Sequence, residues 1–233
     1  MGAQAERADY LEVLGRLHQF LRPKTYLEIG TLSGRSLELA RCATIAIDPI
    51  LAFDRNVIAG KPACFLFQMT SDEFFSQYQP RALLGQRIDM AFLDGMHLAE
   101  FILRDFIQVE RCAKRNSLIM LHDCIPGDVH MTSRVHQPGT AWTGDVWKFL
   151  PVLMQYRPEV RIHALDAPPT GLTICTNLNP ESNVLEAMYS DILEEMSSMT
   201  LTDSGLWDLR ERVGVAGTES TRTFEAISQR YWL

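Results

Sequence analysis

The sequence predicts a doubly wound α/β fold, and two patterns indicate it. Short, continuous apolar runs recur along most of the chain, and helical stretches separate several of them. Strands that are apolar on both faces are typical of a parallel sheet covered by helices on either side. With 233 residues and 46% hydrophobic composition, the chain is long enough for one buried core with an appendage.

The first predicted element is a helix over residues 8–21, where Leu11, Leu14 and Leu17 recur at helical spacing. Arg22 and Pro23 then end it. Seven apolar runs follow as predicted strands, at residues 25–29, 44–47, 64–67, 89–93, 117–121, 161–164 and 172–176. A further helix is predicted over residues 98–113, between the fourth and fifth strands.

The pattern changes to helices beyond residue 179, where Val184 to Met196 carry one apolar stripe. We therefore predict a main domain over residues 1–179 and a helical extension over 180–233. The stripe suits either packing on the main domain or a homodimer interface, and the sequence leaves both open.

Residues 124–143 form a long stretch without periodicity, which includes His130, His136, Pro138 and Trp142. Loops of this length in compact domains are usually functional or disordered. We predict a lid over the ligand crevice, with a surface excursion as the alternative.

Composition and charge indicate which kinds of binding partner and which cellular compartment to expect. The net charge of −7, without a basic cluster, argues against nucleic-acid binding. Five scattered cysteines without a C-x-x-C pair are typical of reduced thiols. The amino-terminal residues, which include Glu6, form no long apolar stretch, so we expect a cytoplasmic protein without a membrane contact.

Residues 26–36 read Y-L-E-I-G-T-L-S-G-R-S, a strand that runs into an acid and a turn with two glycines. Gly30 and Gly34 would let a ligand approach the backbone, although such glycines also serve packing. Asp48 ends the next strand, close to the offset of about 20 residues at which an acid meets a ribose hydroxyl. Because G-x-x-x-G lacks the tight pyrophosphate turn, the pattern favours a nucleoside-containing ligand over a dinucleotide.

Acids and histidines follow two later strands, as Asp94 with His97 and as His122 with Asp123. The carboxyl ends of parallel strands face one crevice, so this set would bind a divalent cation or perform acid/base chemistry near neutral pH. The alternatives are a helix cap for Asp94, a helix-terminal role for His97 and a backbone hydrogen bond for His122. Asp123 needs a partner in a closed crevice.

Six motifs together resemble one family: E-I-G-T-x-x-G-R-S, I-A-I-D, T-S-D-E-F-F, F-L-D-G-x-H, L-H-D-C and G-D-V-W-K. Over residues 25–179 the chain resembles the class I S-adenosylmethionine-dependent methyltransferases. It is most similar to the branch with macrolide-sugar O-methyltransferases and cephalosporin-hydroxylase-like proteins. The resemblance implies a Rossmann-like, seven-stranded fold, S-adenosylmethionine as cofactor, and a small-molecule acceptor from natural product biosynthesis.

The resemblance also implies roles for single residues. Asp48 would accept the ribose hydroxyls, and Ser71 with Asp72 would lie by the adenine unless they only cap the following helix. His97 would be the general base of O-methylation, and Asp94 would lie beside the sulfonium. The implied cofactor-binding set is Glu28, Gly30, Thr31, Gly34, Ser36, Asp48, Ser71, Asp72 and Asp94.

A metal site at Asp94, His122 and Asp123 is also implied. His122 stands where metal-dependent relatives place a carboxylate, and an imidazole disfavours Mg²⁺ relative to softer divalent metals. Metal dependence therefore stays open.

Two other functions compete with methyl transfer. Two histidines and a carboxylate would also suit a non-haem metal-dependent oxygenase. The third reading is a non-catalytic interaction protein that keeps the cofactor fold.

Overall fold

The structure is a computed structural model that describes residues 7–136 and 139–233. Pro138 of the predicted lid and Glu6 lie outside the described residues. The strands form one seven-stranded sheet in the order β3-β2-β1-β4-β5-β7-β6. Their bounds are β1 Thr25–Ile29, β2 Ala43–Ile47, β3 Cys64–Phe67, β4 Ile88–Leu93, β5 Ala113–His122, β6 Arg161–Leu165 and β7 Leu172–Thr176. All seven predicted strands are present, and the predicted Rossmann-like doubly wound fold class is confirmed.

The direction of β7 differs from the prediction of a parallel sheet. Strands β1 to β5 pair in parallel, whereas β7 runs antiparallel to both β5 and β6. The connection from β6 to β7 consists of residues 166–171. A parallel crossover needs a dozen or more residues, so this short segment only permits a hairpin-like return. The apolar pattern of a buried strand carries no information on its direction.

The helices have the following bounds: α1 Tyr10–Leu21, α2 Ser71–Gln77, α3 Pro80–Leu84, α4 Ala99–Cys112, α5 Phe149–Tyr156, α6 Val184–Ala187, α7 Tyr189–Ser198, α8 Asp203–Val213 and α9 Phe224–Ser228. Asp9 caps α1 by accepting a hydrogen bond of 2.8 Å from the Glu12 amide. A 3₁₀ turn at Leu37–Leu39 follows the glycine loop after β1.

Two hydrophobic layers cover the sheet. Alternate residues of a strand point to opposite faces, so Leu27 packs with α4, α5, α7 and α8, whereas Tyr26 packs with α1 and α9. Ile192 and Met196 of the apolar stripe are buried in the first layer. The helices beyond residue 179 thus pack on both faces, while the domain boundary and the homodimer stay predictions.

None of the described helices combines the length and apolar character needed to cross a bilayer. All five cysteines are free thiols.

Candidate active site

The carboxyl ends of β4 and β5 bring the predicted acids and histidines into one cluster, formed by Asp94, His97, His122 and Asp123. His122 Nδ1 lies 3.2 Å from Asp94 Oδ1 and 3.3 Å from Asp123 Oδ1. His97 Nδ1 lies 3.2 Å from Asp123 Oδ2, and its Nε2 lies 3.5 Å from Asp94 Oδ1. Each carboxylate therefore faces both imidazoles. His97 is thus more than a helix-terminal residue, and His122 does more than bond to the backbone.

The backbone at the end of β1 holds this cluster in place. The Asp94 amide donates a hydrogen bond of 2.8 Å to the Ile29 carbonyl. A Cβ atom on Gly30 would lie 1.8 Å from the Asp94 carbonyl oxygen, and Gly30 has a φ of 85°. Only glycine allows this approach. Gly30 therefore serves the packing of the Asp94 turn, which was one of its two sequence interpretations.

Charge compensation dominates the electrostatics of the cluster. Burial alone would lower the pKa of His122, but Asp94 and Asp123 outweigh burial and raise it. Burial alone would raise the pKa of Asp94, but the two imidazoles lower it to about 2. The pKa of His97 is raised for the same reason as that of His122, with burial opposing Asp94 and Asp123. Ionised groups therefore face each other at this edge of the sheet.

A segment of the predicted lid fixes His97. Its Nδ1 lies 3.0 Å from the Trp142 carbonyl oxygen, and the two rings stack with centroids 4.9 Å apart. Because a carbonyl only accepts, Nδ1 carries the proton in this contact, and Nε2 holds the lone pair of the neutral ring. The Asp145 amide donates to the His97 carbonyl at 3.2 Å, which holds the backbone from the same side.

Helix α4 is capped by a residue that sequence reasoning did not assign. The Ala99 amide donates a hydrogen bond of 2.9 Å to Asp145 Oδ1. The alternative that Asp94 caps this helix is therefore wrong. Asp145 also pairs with Arg134 at 2.7 Å and with Lys148 at 3.0 Å, so it joins the lid segment to α4.

Two further residues at the cluster were missed from sequence. The Tyr10 ring lies 4.1 Å from the His122 ring, although nothing in the sequence links α1 to β5. Asp105 lies buried near Gly95, bonds to Ser71, and has its pKa raised to about 7 by burial. The sequence did contain a signal for it, because Asp105 is an acid on the otherwise apolar face of α4.

Glu28 is buried beneath the glycine loop. Its Oε2 accepts a hydrogen bond of 2.7 Å from the Tyr26 hydroxyl, and its Oε1 accepts one of 2.9 Å from Ser36 Oγ. Burial raises the pKa of Glu28 to about 7, although both hydroxyls oppose that rise. Glu28 and Ser36 thus bond to each other, and their contact with a cofactor stays a prediction.

The loop after β1 retains acceptors and donors for a ligand. Asp48 Oδ2 accepts from the Leu32 amide and Oδ1 from the Ile50 amide, both at 2.7 Å. Each carboxylate oxygen has a second lone pair for a further donor. Thr31 Oγ1 is buried and has no partner among the described residues. Because an unmet buried hydroxyl costs free energy, this loop fits a polar nucleoside ligand.

At the start of α2 the helix cap is Thr70, which forms a capping box with Glu73. The capping alternative for Ser71 and Asp72 is therefore wrong. Asp72 instead forms a two-point ion pair with Arg104, at 2.9 and 2.8 Å. Their adenine contact stays a prediction.

Gly34 lies against the loop that follows β2. It has a φ of 80°, and a Cβ atom on it would lie 2.4 Å from Val57 Cγ1. The position thus requires glycine for packing, whether or not a ligand also approaches it.

A metal would find a donor set that differs from the predicted one. Among the described residues, ligand atoms of Asp94, His97 and Asp123 lie within 4.8 Å of one another. His122 instead hydrogen-bonds to the Asp94 carboxylate. Two carboxylates and one imidazole suit a divalent ion that accepts oxygen and nitrogen ligands.

Residues 27–124 match the family model described as a methyltransferase domain. This segment includes the last three residues of β1, all of β2 to β5 and the whole charged cluster, but it is less than half of the chain. No curated protein matches the sequence.

Several solved structures share the fold at low sequence identity. The O-methyltransferase TomG from Streptomyces achromogenes, involved in Tomaymycin synthesis and in complex with SAM, has a TM-score of 0.55 and 16% identity, with 72% of this chain and 78% of that chain covered. The O-methyltransferase from Bacillus cereus in complex with SAH has a TM-score of 0.53 and 14% identity, with coverages of 75% and 83%. A cofactor-bound protein from MTB has a TM-score of 0.55 and 15% identity, with coverages of 77% and 84%.

The fold is thus that of the class I methyltransferases, and the predicted resemblance is confirmed. The match of residues 27–124 to a methyltransferase domain agrees with the predicted enzyme class, a methyltransferase.

Proposed function

We propose that the protein transfers the methyl group of S-adenosylmethionine to a hydroxyl of a small molecule, with His97 as the general base. The observation that carries this proposal is the position of His97 at the accessible side of the cluster. Its side chain is 24% exposed, whereas those of His122 and Asp123 are 8% and 6% exposed. An acceptor would therefore reach His97 before either of the other two.

The cofactor would be held by the loops after β1 and β2. Asp48 would accept the ribose hydroxyls with its remaining lone pairs, and Thr31 would meet a polar atom of the ligand. When bound, S-adenosylmethionine supplies an activated methyl group on a positively charged sulfur. Asp94 carries the negative charge that favours such a cation at the end of β4.

The remaining work of the active site is to orient the acceptor and remove its proton. The Trp142 carbonyl and Asp123 hold the Nδ1 side of His97. This leaves Nε2, which lies 3.5 Å from Asp94 Oδ1, as the nitrogen that would take the proton of the acceptor. A general base contributes typically about 10²- to 10⁴-fold in rate. Fixed geometry supplies up to about 7–11 kcal/mol of the barrier in well-oriented cases.

Assistance by a divalent metal is a second arm of the proposal. Asp94 and Asp123 would hold the ion together with His122, or with His97 if that ring gives up its role as base. The ion would lower the pKa of the acceptor hydroxyl. A chelator distinguishes the two mechanisms, because it should reduce turnover if a metal takes part and leave turnover unchanged if His97 acts alone.

The acceptor class rests on chemistry around His97 and on similarity. The Trp142 ring beside the imidazole offers a flat surface to a sugar or another ring. TomG, which shares the fold, acts in Tomaymycin synthesis. We therefore propose a hydroxyl of a sugar or another natural product as the acceptor.

The test compares His97→Gln with His130→Gln, which changes an exposed histidine of the segment after β5. Methyl transfer from labelled S-adenosylmethionine is measured over a panel of hydroxylated sugars and phenols, and binding of S-adenosylhomocysteine by calorimetry. We expect His97→Gln to lose at least about 10²-fold in turnover, with cofactor affinity within twofold of wild type. His130→Gln should retain both properties.

Full turnover by His97→Gln would contradict the role as base. Absence of S-adenosylhomocysteine binding, together with bound iron, would instead favour the oxygenase. Cofactor binding without transfer to any acceptor would favour the interaction protein.

A further inference from the structure

A second concave site lies at the amino ends of β5 and β6, the edge of the sheet opposite to the charged cluster. Its volume is about 520 Å³, within the range of roughly 300–1,000 Å³ that small-molecule sites occupy. We name it the arginine pocket. The residues that matter are Arg115, Asn116, Arg161, Thr176, Arg230 and Trp232.

Three parts of the chain build the arginine pocket. Arg115 lies near the start of β5, and Arg161 begins β6, where it pairs with Thr176 of the antiparallel β7. The segment after α9 adds Arg230 and Trp232. Asn116 Nδ2 donates a hydrogen bond of 2.9 Å to the Trp232 carbonyl, which ties this segment to the sheet.

The pocket gathers positive charge in a protein with a net charge of −7. No carboxylate lines it, and none of its three guanidinium groups forms an ion pair within residues 7–136 and 139–233. Arg115 Nε donates to Asn177 Oδ1 at 3.0 Å, which orients one guanidinium and leaves its other N–H groups available.

The pKa of the neighbouring His163 is affected by the positive charge of the arginine pocket. Burial lowers the pKa of His163, and the charges of Arg230 and Arg161 lower it further. His163 Nδ1 lies 2.8 Å from the Tyr231 hydroxyl, and Tyr231 is one of the lining residues. The floor of the pocket is therefore fixed by packing, while its charged groups remain at the surface.

The chemistry of these groups defines a ligand class. A guanidinium fork matches the oxygen pairs of phosphate and carboxylate groups. Trp232 is 61% exposed and adds a flat apolar wall. We propose that the arginine pocket binds a multiply charged oxyanion, with phosphate or carboxylate groups that face the three arginines.

This ligand would not be the methyl acceptor. Arg115 and His122 lie on the same strand, and at about 3.3 Å per residue they are separated by roughly 23 Å. The pocket and the cluster thus lie at opposite ends of β5. The inference does not depend on the proposed chemistry at His97.

The experiment is calorimetric titration of the full chain with pyrophosphate, and separately with citrate, at low ionic strength. The two anions distinguish phosphate from carboxylate chemistry. The test variant is Arg161→Gln with Arg230→Gln, and the control is Arg81→Gln with Arg212→Gln, which removes equal charge from exposed arginines elsewhere. Thermal unfolding midpoints establish that both variants are folded.

We expect saturable, one-to-one binding of at least one anion to the wild type. The test variant should weaken it at least tenfold, and the control should change it less than twofold. S-adenosylhomocysteine should not compete.

Three results would overturn the proposal. The first is no saturable binding of either anion. The second is equal weakening in both variants, which would assign binding to net charge. The third is competition by S-adenosylhomocysteine, which would place the anion in the crevice. If the test variant unfolds, Trp232→Ala replaces it, with Trp207→Ala as the exposed tryptophan control.

Discussion

At the carboxyl end of the sheet, Asp94 and Asp123 face two imidazoles, whereas at the amino end the arginine pocket collects three guanidinium groups without an acid among its lining residues. The first arrangement is compensated by the protein itself and therefore persists without a ligand. The second would gain a counter-charge if an anion of the proposed class bound there. The difference agrees with the two proposals, catalysis at the charged cluster and anion binding at the arginine pocket.

Near the arginine pocket, a buried pair shows what internal compensation looks like at the same end of the sheet. The Arg157 guanidinium donates to both oxygens of Glu110, at 2.6 and 2.8 Å. The Asn179 amide adds a bond of 3.0 Å to Glu110 Oε1. The side chains are only 1% and 4% exposed, so water replaces neither partner.

The largest effect on stability is expected from breaking this pair. Arg157→Met leaves the Glu110 carboxylate buried without its cation, which costs about 3–5 kcal/mol in the free energy of unfolding. Urea unfolding followed by circular dichroism measures the change. The double variant Glu110→Leu with Arg157→Met should lose less, because it leaves no buried charge. Equal losses in the single and double variants would mean that packing, and not charge compensation, dominates here.

The next largest effect is expected on ligand affinity, when the charge of Asp48 is removed from the proposed cofactor loop. Asp48→Asn keeps the shape of the side chain but loses the charged acceptor, which is worth about 1.5–3 kcal/mol in binding of S-adenosylhomocysteine. Calorimetry measures it. Asp54→Asn, an exposed acid in the following segment, is the control and should bind as wild type does. Unchanged affinity for Asp48→Asn would remove Asp48 from the cofactor site.

The carboxyl end of the sheet was largely predictable from sequence. Continuous apolar runs located the strands, and the residues that directly follow β4 and β5 had to meet at one edge because those strands are parallel. Asp94, His122 and Asp123 therefore converge as local sequence alone implies.

Contacts between distant segments were not predictable in this way. Asp145 caps α4 from 46 residues away, and Asn116 meets Trp232 across 116 residues. Tyr10 reaches His122 only because α1 packs on that face of the sheet. Such partners depend on how helices and terminal segments pack on the sheet, which the periodicity of a single element does not encode.

His18 is a titratable group that the fold buries in its neutral form. Neither ring nitrogen has a hydrogen-bond partner among the described residues. Burial, followed by Lys61 and Arg41, lowers its pKa to about 3. The unfolded chain binds this proton below an ordinary pKa near 6.5, so stability falls as the pH falls from there towards 3. His18→Leu should reduce the loss of unfolding free energy between pH 8 and pH 5 by about 2 kcal/mol. Urea unfolding at the two pH values measures this, and equal pH dependence in both proteins would mean that His18 is solvated or paired.

The charge compensation in the cluster at the carboxyl end of the sheet can be tested by titrating His97. Asp123 lies 3.2 Å from His97 Nδ1 and has a φ of 61°, a conformation that asparagine also adopts. In chelator-treated protein, nuclear magnetic resonance should find the pKa of His97 above its ordinary value, and Asp123→Asn should lower it. Asp128→Asn, an acid of the following loop, should leave it unchanged. If Asp123→Asn also leaves the pKa of His97 unchanged, Asp123 does not stabilise the charged imidazole. The contrast between a charge-compensated cluster and an uncompensated arginine pocket would then be wrong for the cluster.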